Sequence, residues 1–246
     1  MERATSEIDV RDCVALLRAV PCSKPLIRLG RGGDGGYVLP DDFAGVGALF
    51  SPGVGLEWTF EEDFASLTEK PIFMCDPNPV AENCPFEVAQ FLLGPNTHGS
   101  YVSLEDWIER SGVGDNQELV MQIDIEGAEY LALQSCSDAT LKKFRILVIE
   151  FHFLDRMLNG LMLELMFQPL LARLHDLFDV VHLHPNNAGR LDVRAGIGIP
   201  QSLEVTYLRK DRNTGSDTRI CSEIQSHPNL PDRTEISLTP EWFLPK

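Results

Sequence analysis

Between residues 47 and 76 the chain lays out a strand, a glycine break, a helix and a second strand ending in an acid. Gly47-Ala-Leu-Phe-Ser-Pro-Gly-Val-Gly55 is an apolar run broken by two glycines. An amphipathic stretch follows, and Pro71-Ile-Phe-Met-Cys-Asp76 closes the unit. This is the order of a βαβ nucleotide site. Gly53 and Gly55 allow close backbone approach to a ligand, and Asp76 stands where a carboxylate accepts hydrogen bonds from two ribose hydroxyls. The unit therefore points to an α/β fold and to an adenosine-containing cofactor.

The chain has 246 residues, 43% of them hydrophobic, which suits one core in one domain. We divide it into an N-terminal helix and cap (1–40), an α/β core (41–210) and a C-terminal extension (211–246). The formal charge of -16 repels phosphate backbones, so nucleic acid is not expected as a partner. It suits a neutral or cationic small molecule, or simply solubility. No apolar run is long enough to cross a bilayer, and the first residues carry no apolar signal core, so no membrane association is expected. The six cysteines, at 13, 22, 75, 84, 136 and 221, form no Cys-x-x-Cys pair. Free thiols fit a reducing, cytoplasmic setting.

Residues 8–20 read as a helix. Arg28-Leu-Gly-Arg-Gly-Gly-Asp-Gly-Gly-Tyr37 resembles a phosphate loop only superficially, because no Gly-Lys-Ser/Thr ends it. In the helix after Gly55, Phe60, Phe64 and Leu67 fall on one core-facing stripe. Phe86–Leu93 is a candidate third strand, and Ser103 is placed to cap a helix, with Asp106 at its third position. Leu119–Ile125 is an apolar strand carrying Asp124 near its end. Ile146–His152 is the next strand. A helical stretch over Leu158–Leu177 contains Pro169, which kinks or splits it. Phe178–His184 and Leu203–Leu208 are late strands with no clear helix between them.

Seven motifs in order resemble the FkbM-type methyltransferases and the methyltransferase-like proteins close to them. They are Asp34-Gly-Gly-Tyr, Ser51-Pro-Gly-Val-Gly, the acid-ended strand at Asp76, Ser103-Leu-Glu-Asp-Trp, Ile123-Asp-Ile-Glu-Gly-Ala-Glu129, Val148-Ile-Glu-Phe-His152 and His182-Leu-His-Pro-Asn-Asn187. The resemblance covers about residues 28–208. It implies a Rossmann-like class I fold dependent on S-adenosylmethionine, with a seven-stranded, mostly parallel sheet in the order 3-2-1-4-5-7-6. It also implies that Ser51, Gly53 and Gly55 line the methionine and ribose side of the cofactor. Asp76 would hold the ribose, Asn78 would approach the adenine, and Asp124 and Glu126 would sit near the methyl group. Pro52 departs from the small flexible residue many members carry there.

Asp124, Glu150 and His152 end neighbouring strands, where ligands of open α/β sheets bind. With Glu126 they could take a proton from an acceptor; Asp124, Glu126 and His152 are the catalytic candidates. Asp34 is assigned to the cofactor side, either closing over it or forming a turn before Tyr37. Glu150, His184, Asn186 and Asn187 are candidates for binding the acceptor, although Pro-Asn-Asn is also a good turn by itself. Asp124, His152 and His184, with Glu150 as a further donor, offer a mixed N/O set for a divalent metal. Against that set, the implied strand order puts His184 roughly 9–10 Å away across two strand spacings. The leading reading is O-methylation of a hydroxylated small molecule or sugar. The alternatives are a non-catalytic cofactor-binding or interaction protein and a metal-dependent enzyme.

Overall fold

The computed structural model describes residues 4–78, 82–115, 117–214 and 227–243. An N-terminal helix, α1 (Glu7–Leu16), leads into a two-stranded antiparallel ribbon, β1 (Leu26–Leu29) and β2 (Tyr37–Pro40). The α/β units follow: β3 (Val46–Pro52), α2 (Thr59–Thr68), β4 (Ile72–Cys75), β5 (Val88–Ala89), then the short pair β6 (Leu92–Leu93) and β7 (Tyr101–Val102). Helix α3 (Leu104–Ser111) precedes β8 (Glu118–Ile123), α4 (Glu129–Ser135), α5 (Asp138–Leu141) and β9 (Phe144–Phe151). A 3-10 turn, α6 (Gly160–Met162), a π turn (Leu163–Phe167) and α7 (Gln168–Leu177) lead to β10 (Phe178–Pro185). The hairpin β11 (Leu191–Arg194) and β12 (Ile197–Pro200) connects β10 to β13 (Leu203–Arg209).

Seven strands form one mixed sheet in the order β10-β13-β9-β8-β3-β4-β5. From β9 to β5 neighbours run parallel, while β13 is antiparallel to both β9 and β10. The period of two along each strand sorts its residues onto two cores. Phe50, Met121, Ile123, Leu147, Ile149 and Tyr207 pack with α1, α3, α4, α7 and Trp242 on one face. Leu49, Val120, Ile146, Val148 and Leu208 pack with Phe60 and Phe64 of α2 and with the β1–β2 ribbon on the other. Among the described residues, no helix is long and apolar enough to cross a membrane.

Several local expectations shift. The first helix ends at Leu16 rather than residue 20. The stretch opening the glycine-rich segment forms β1, where Leu26 and Leu29 are buried. Leu67 is 57% exposed, so the α2 stripe narrows to Phe60 and Phe64. The expected third strand shrinks to Val88–Ala89, and Leu92–Leu93 pairs in a separate sheet. Pro169 sits at the start of α7, where its missing N–H costs least, and the π turn precedes it. Ser103 caps α3 by accepting from Asp106 N at 3.2 Å, as its spacing predicts.

The polar tail packs back on the core. Trp242 is fully buried and donates its Nε1–H to Gly198 O at 2.9 Å. At the opposite edge of the sheet from the site described below, Arg145 is 4% exposed. It donates to Glu118 and to the carbonyls of Asp42 and Ala44.

Candidate functional site

The parallel strands β3, β4, β8 and β9 end on one edge of the sheet, and that edge gathers Gly53, Asp76, Asp124 and His152. β13 runs the other way, so its first residues lie there too, with Glu204 opposite Glu150. Two cavities open along this edge. One of about 520 Å³ is lined by Gly53, Gly55, Asp76, Asn78, Glu61 and Gln122, with Leu56, Phe91 and Leu92 supplying apolar wall. The other, about 340 Å³, is lined by Glu150, His152, Phe153, Asn186, Gln201 and Asn229. Asp34, Asp124 and Glu126 line both.

The glycine turn has a steric cause. Gly53 has φ +90°, and a Cβ there would lie 1.6 Å from the Asp124 carbonyl oxygen. Only glycine lets β3 and β8 end this close. Gly53 N donates to Cys75 O at 2.9 Å, tying the turn to β4. Asp76 Oδ2 accepts from Gly55 N at 3.2 Å and Oδ1 from Asn78 N at 2.8 Å, so the carboxylate is oriented across the mouth of the cleft. Pro52 ends β3, and its carbonyl accepts from Asp124 N, so the missing proline N–H leaves this contact in place.

The second motif, Asp124-Ile-Glu-Gly-Ala-Glu129, makes a sharp turn after β8. Glu126 has φ +56° and Gly127 φ +100°. A Cβ on Gly127 would come within 2.8 Å of the Phe153 ring. The turn sends Glu129 back under the site, where it is fully buried. Its carboxylate accepts from Gly127 N (2.8 Å) and His152 N (2.7 Å), and lies 3.3 Å from His152 Nδ1. Glu129 thus fixes the imidazole, whose Nε2 faces Asp124 Oδ1 (3.6 Å), Glu126 Oε2 (3.4 Å) and Glu150 Oε1 (3.8 Å). Asp124 Oδ1 is buried and has no hydrogen-bond partner. Glu126 is 85% exposed.

Burial raises Asp124 to about 7; His152 opposes the rise, while Glu126 and Asp34 add to it. Burial raises Glu150 to about 8, Asp124 adding and His152 opposing. Burial alone would lower His152, but the Glu129 hydrogen bond and the charges of Glu150, Glu129 and Asp124 outweigh it and bring the imidazole to about 9. The cluster therefore shares protons near neutral pH.

Three of the sequence-assigned residues move and a fourth stays. Ser51 is fully buried, does not line the cleft, and contacts Glu61 Oε1 and Gln122 Oε1, two residues of its wall. His184 Nε2 bonds to Asn229 Oδ1 at 3.0 Å, and His184 lines neither cavity. It also stands outside the group whose donor atoms converge, Asp124, Glu150 and His152, all within 4.8 Å. The intervening strand β13 is the reason, and His184 belongs neither to the converging donor set nor to the lining of the smaller cavity. Asn187 is 3% exposed and is spent on the backbone of Leu230 and Arg233, so it pins the tail. Asn186 does reach the smaller cavity, donating to Glu150 Oε1 at 2.8 Å.

Sequence reasoning missed Glu61, Gln122, Glu129, Glu204 and Asn229. Glu129 stood inside the quoted motif, five residues past Asp124. Asn229 carried no signal, because its role depends on the tail folding back. It donates to Asp34 Oδ1 (3.2 Å) and Glu204 Oε1 (2.7 Å) while accepting from His184.

A search of curated proteins finds no match to this chain. Residues 102–176, a stretch holding the Asp124–Glu129 turn, Glu150 and His152, match the family model described as the methyltransferase FkbM domain, and that match supports a methyltransferase.

Proposed function

We propose that the protein is an S-adenosylmethionine-dependent methyltransferase, acting on a hydroxyl of a small-molecule acceptor such as a sugar. The observation that carries this reading is the pair of cavities sharing Asp34, Asp124 and Glu126 as a common wall. A donor in one and an acceptor in the other meet at that wall. The sheet order supports a class I fold: counted over its seven strands it runs 3-2-1-4-5-7-6, with the seventh antiparallel.

In the larger cleft, Asp76 takes the ribose hydroxyls beside Gly53 and Gly55. Phe91, Leu92 and Leu56 would hold the adenine, near Asn78. Asp124 would stand beside the donor's sulfonium, where a carboxylate complements the positive charge. The acceptor oxygen attacks the methyl carbon as the carbon–sulfur bond breaks, and sulfur keeps the electron pair as a neutral thioether. The acceptor proton passes to a carboxylate of the cluster, Asp124 or Glu126, beside the His152 imidazolium. Holding both reactants in line supplies roughly 7–11 kcal/mol of the barrier, and proton removal adds typically 10²–10⁴-fold. The acidic surface makes a nucleic-acid acceptor a poor fit.

Calorimetric titration with S-adenosylmethionine and S-adenosylhomocysteine tests the donor half of the proposal. No uptake by folded protein refutes it. His152→Ala should abolish transfer to a panel of hydroxylated acceptors and leave donor affinity within about threefold. Donor binding with no transfer to any acceptor would mark a cofactor-binding protein instead.

A further inference from the structure

We propose that Asp124, Glu150 and His152 form a divalent-cation site at the seam between the two cavities. The argument rests on the placement of donor atoms; only the task given to the ion depends on the methyl-transfer reading.

One donor oxygen of Asp124, one of Glu150 and His152 Nε2 lie within 4.8 Å of one another. Nε2 is 3.6 Å from Asp124 Oδ1 and 3.8 Å from Glu150 Oε1, too far for hydrogen bonds. Around an ion with bonds of about 2.1 Å, neighbouring ligand atoms stand roughly 3.0–3.5 Å apart. Small side-chain shifts therefore bring the three onto one ion.

Three further observations point the same way. Asp124 Oδ1 is a buried carboxylate oxygen with no hydrogen-bond partner, directed at the imidazole. A buried acceptor left so is costly, and a cation satisfies it. Next, Glu129 is fully buried and held by two backbone N–H groups, and its Oε1 faces Nδ1. With Nδ1–H held by Glu129, it is Nε2 that gives up its proton to an incoming ion and turns its lone pair into the cluster, the carboxylate–histidine arrangement found behind metal ligands. Finally, Glu150 is 2% exposed, with Asn186 Nδ2 donating to the Oε1 that faces the site. Its carboxylate is fixed in place with no Lys or Arg among the residues lining that cavity.

One imidazole nitrogen and two carboxylates suit Mn²⁺ or Zn²⁺ better than Ca²⁺. The open coordination positions face the seam. An acceptor hydroxyl bound there loses its proton more readily, because the ion stabilises the alkoxide. With Asp124 and His152 engaged as ligands, Glu126 is the exposed carboxylate left to accept that proton, which then passes to solvent.

The test uses the full chain, stripped with a chelator, and Mn²⁺ alone as the probe. Free Mn²⁺ is followed by electron paramagnetic resonance, and S-adenosylhomocysteine binding is measured on the same sample. We expect saturable uptake of one ion per chain, weakened at least tenfold by Glu150→Gln with donor affinity retained. Glu129→Gln, a positioning change, should weaken uptake roughly 10–100-fold. A chain that binds S-adenosylhomocysteine but takes up no Mn²⁺ overturns the site and leaves the proposed function standing. Uptake that Glu150→Gln does not alter overturns it too, as adsorption to the acidic surface. Uptake without donor binding supports the site and counts against the methyltransferase proposal.

Discussion

Glu61→Gln should stabilise this protein at neutral and alkaline pH and do little in acid. Glu61 is 3% exposed, on the first turn of α2 beneath the larger cleft. Ser51 Oγ lies against its Oε1 and, at 2.9 Å, against Gln122 Oε1. One hydroxyl proton cannot serve two acceptor oxygens. A neutral Glu61 carboxyl resolves this by donating to Ser51 Oγ while Ser51 donates to Gln122. Burial accordingly raises Glu61 from 4.5 to about 7, with the Ser51 hydrogen bond opposing the rise. The unfolded chain releases this proton near 4.5, whereas the folded chain keeps it up to about 7. Between those values the folded state binds more protons, so wild-type stability falls as pH climbs through that window and levels off above it. At 1.36 kcal/mol per pKa unit, the penalty at alkaline pH is about 3 kcal/mol at most. Gln has no proton to lose. The variant should therefore gain about 1–3 kcal/mol above the window, or about 2–10 °C in Tm for a domain of this size. Below the window it should lie within about 1 kcal/mol of wild type, in either direction, since one hydrogen bond is exchanged for another. Urea unfolding of both proteins from about pH 4 to about pH 8.5 reads the difference and cancels the other buried acids. A difference that does not grow with pH refutes the neutral-carboxyl assignment.

Three other expectations are open to measurement. Asp76→Ala should weaken S-adenosylmethionine binding about 10–100-fold in calorimetry, the loss of two hydrogen bonds to a charged acceptor; unchanged affinity removes Asp76 from the ribose. Gly53→Ala forces a Cβ into the Asp124 carbonyl at a positive φ, and should destabilise the fold by more than about 3 kcal/mol or abolish soluble expression. A well-folded Gly53→Ala chain of wild-type Tm would show that β3 and β8 can part without cost. Trp242→Ala, deleting a fully buried indole and its bond to Gly198, should cost about 3–5 kcal/mol in denaturant titration; a near-neutral result would mean the tail is not integral to the core.

The α/β layout was legible because it rests on local rules. Apolar strands of period two, glycines where two strand ends nearly touch, and Ser103 at a helix start each follow from a few neighbouring residues. Asp124, Glu150 and His152 were also legible, since parity and strand ends place side chains once the strands are known. His184 was misplaced although the intervening strand was anticipated, because its partner, Asn229, lies 45 positions away. Ser51 was misassigned for a related reason. A serine in a glycine turn looks available for a ligand, and only the fold shows Glu61 and Gln122 beneath it. Asn187 was read as an acceptor contact or a turn residue, and neither reading foresaw that its amide holds the returning tail.

Asn229 joins β10, β13 and the loop before β2 through His184, Glu204 and Asp34. Parts of the chain 195 positions apart thus furnish one wall of the smaller cavity. Grafting the sheet and its glycine turn into another scaffold would carry over the larger cleft but leave this wall behind. Under the proposed function, acceptor preference should therefore depend on Asp34, Glu204 and Asn229 together, and a chimera that exchanges the tail alone should already change it.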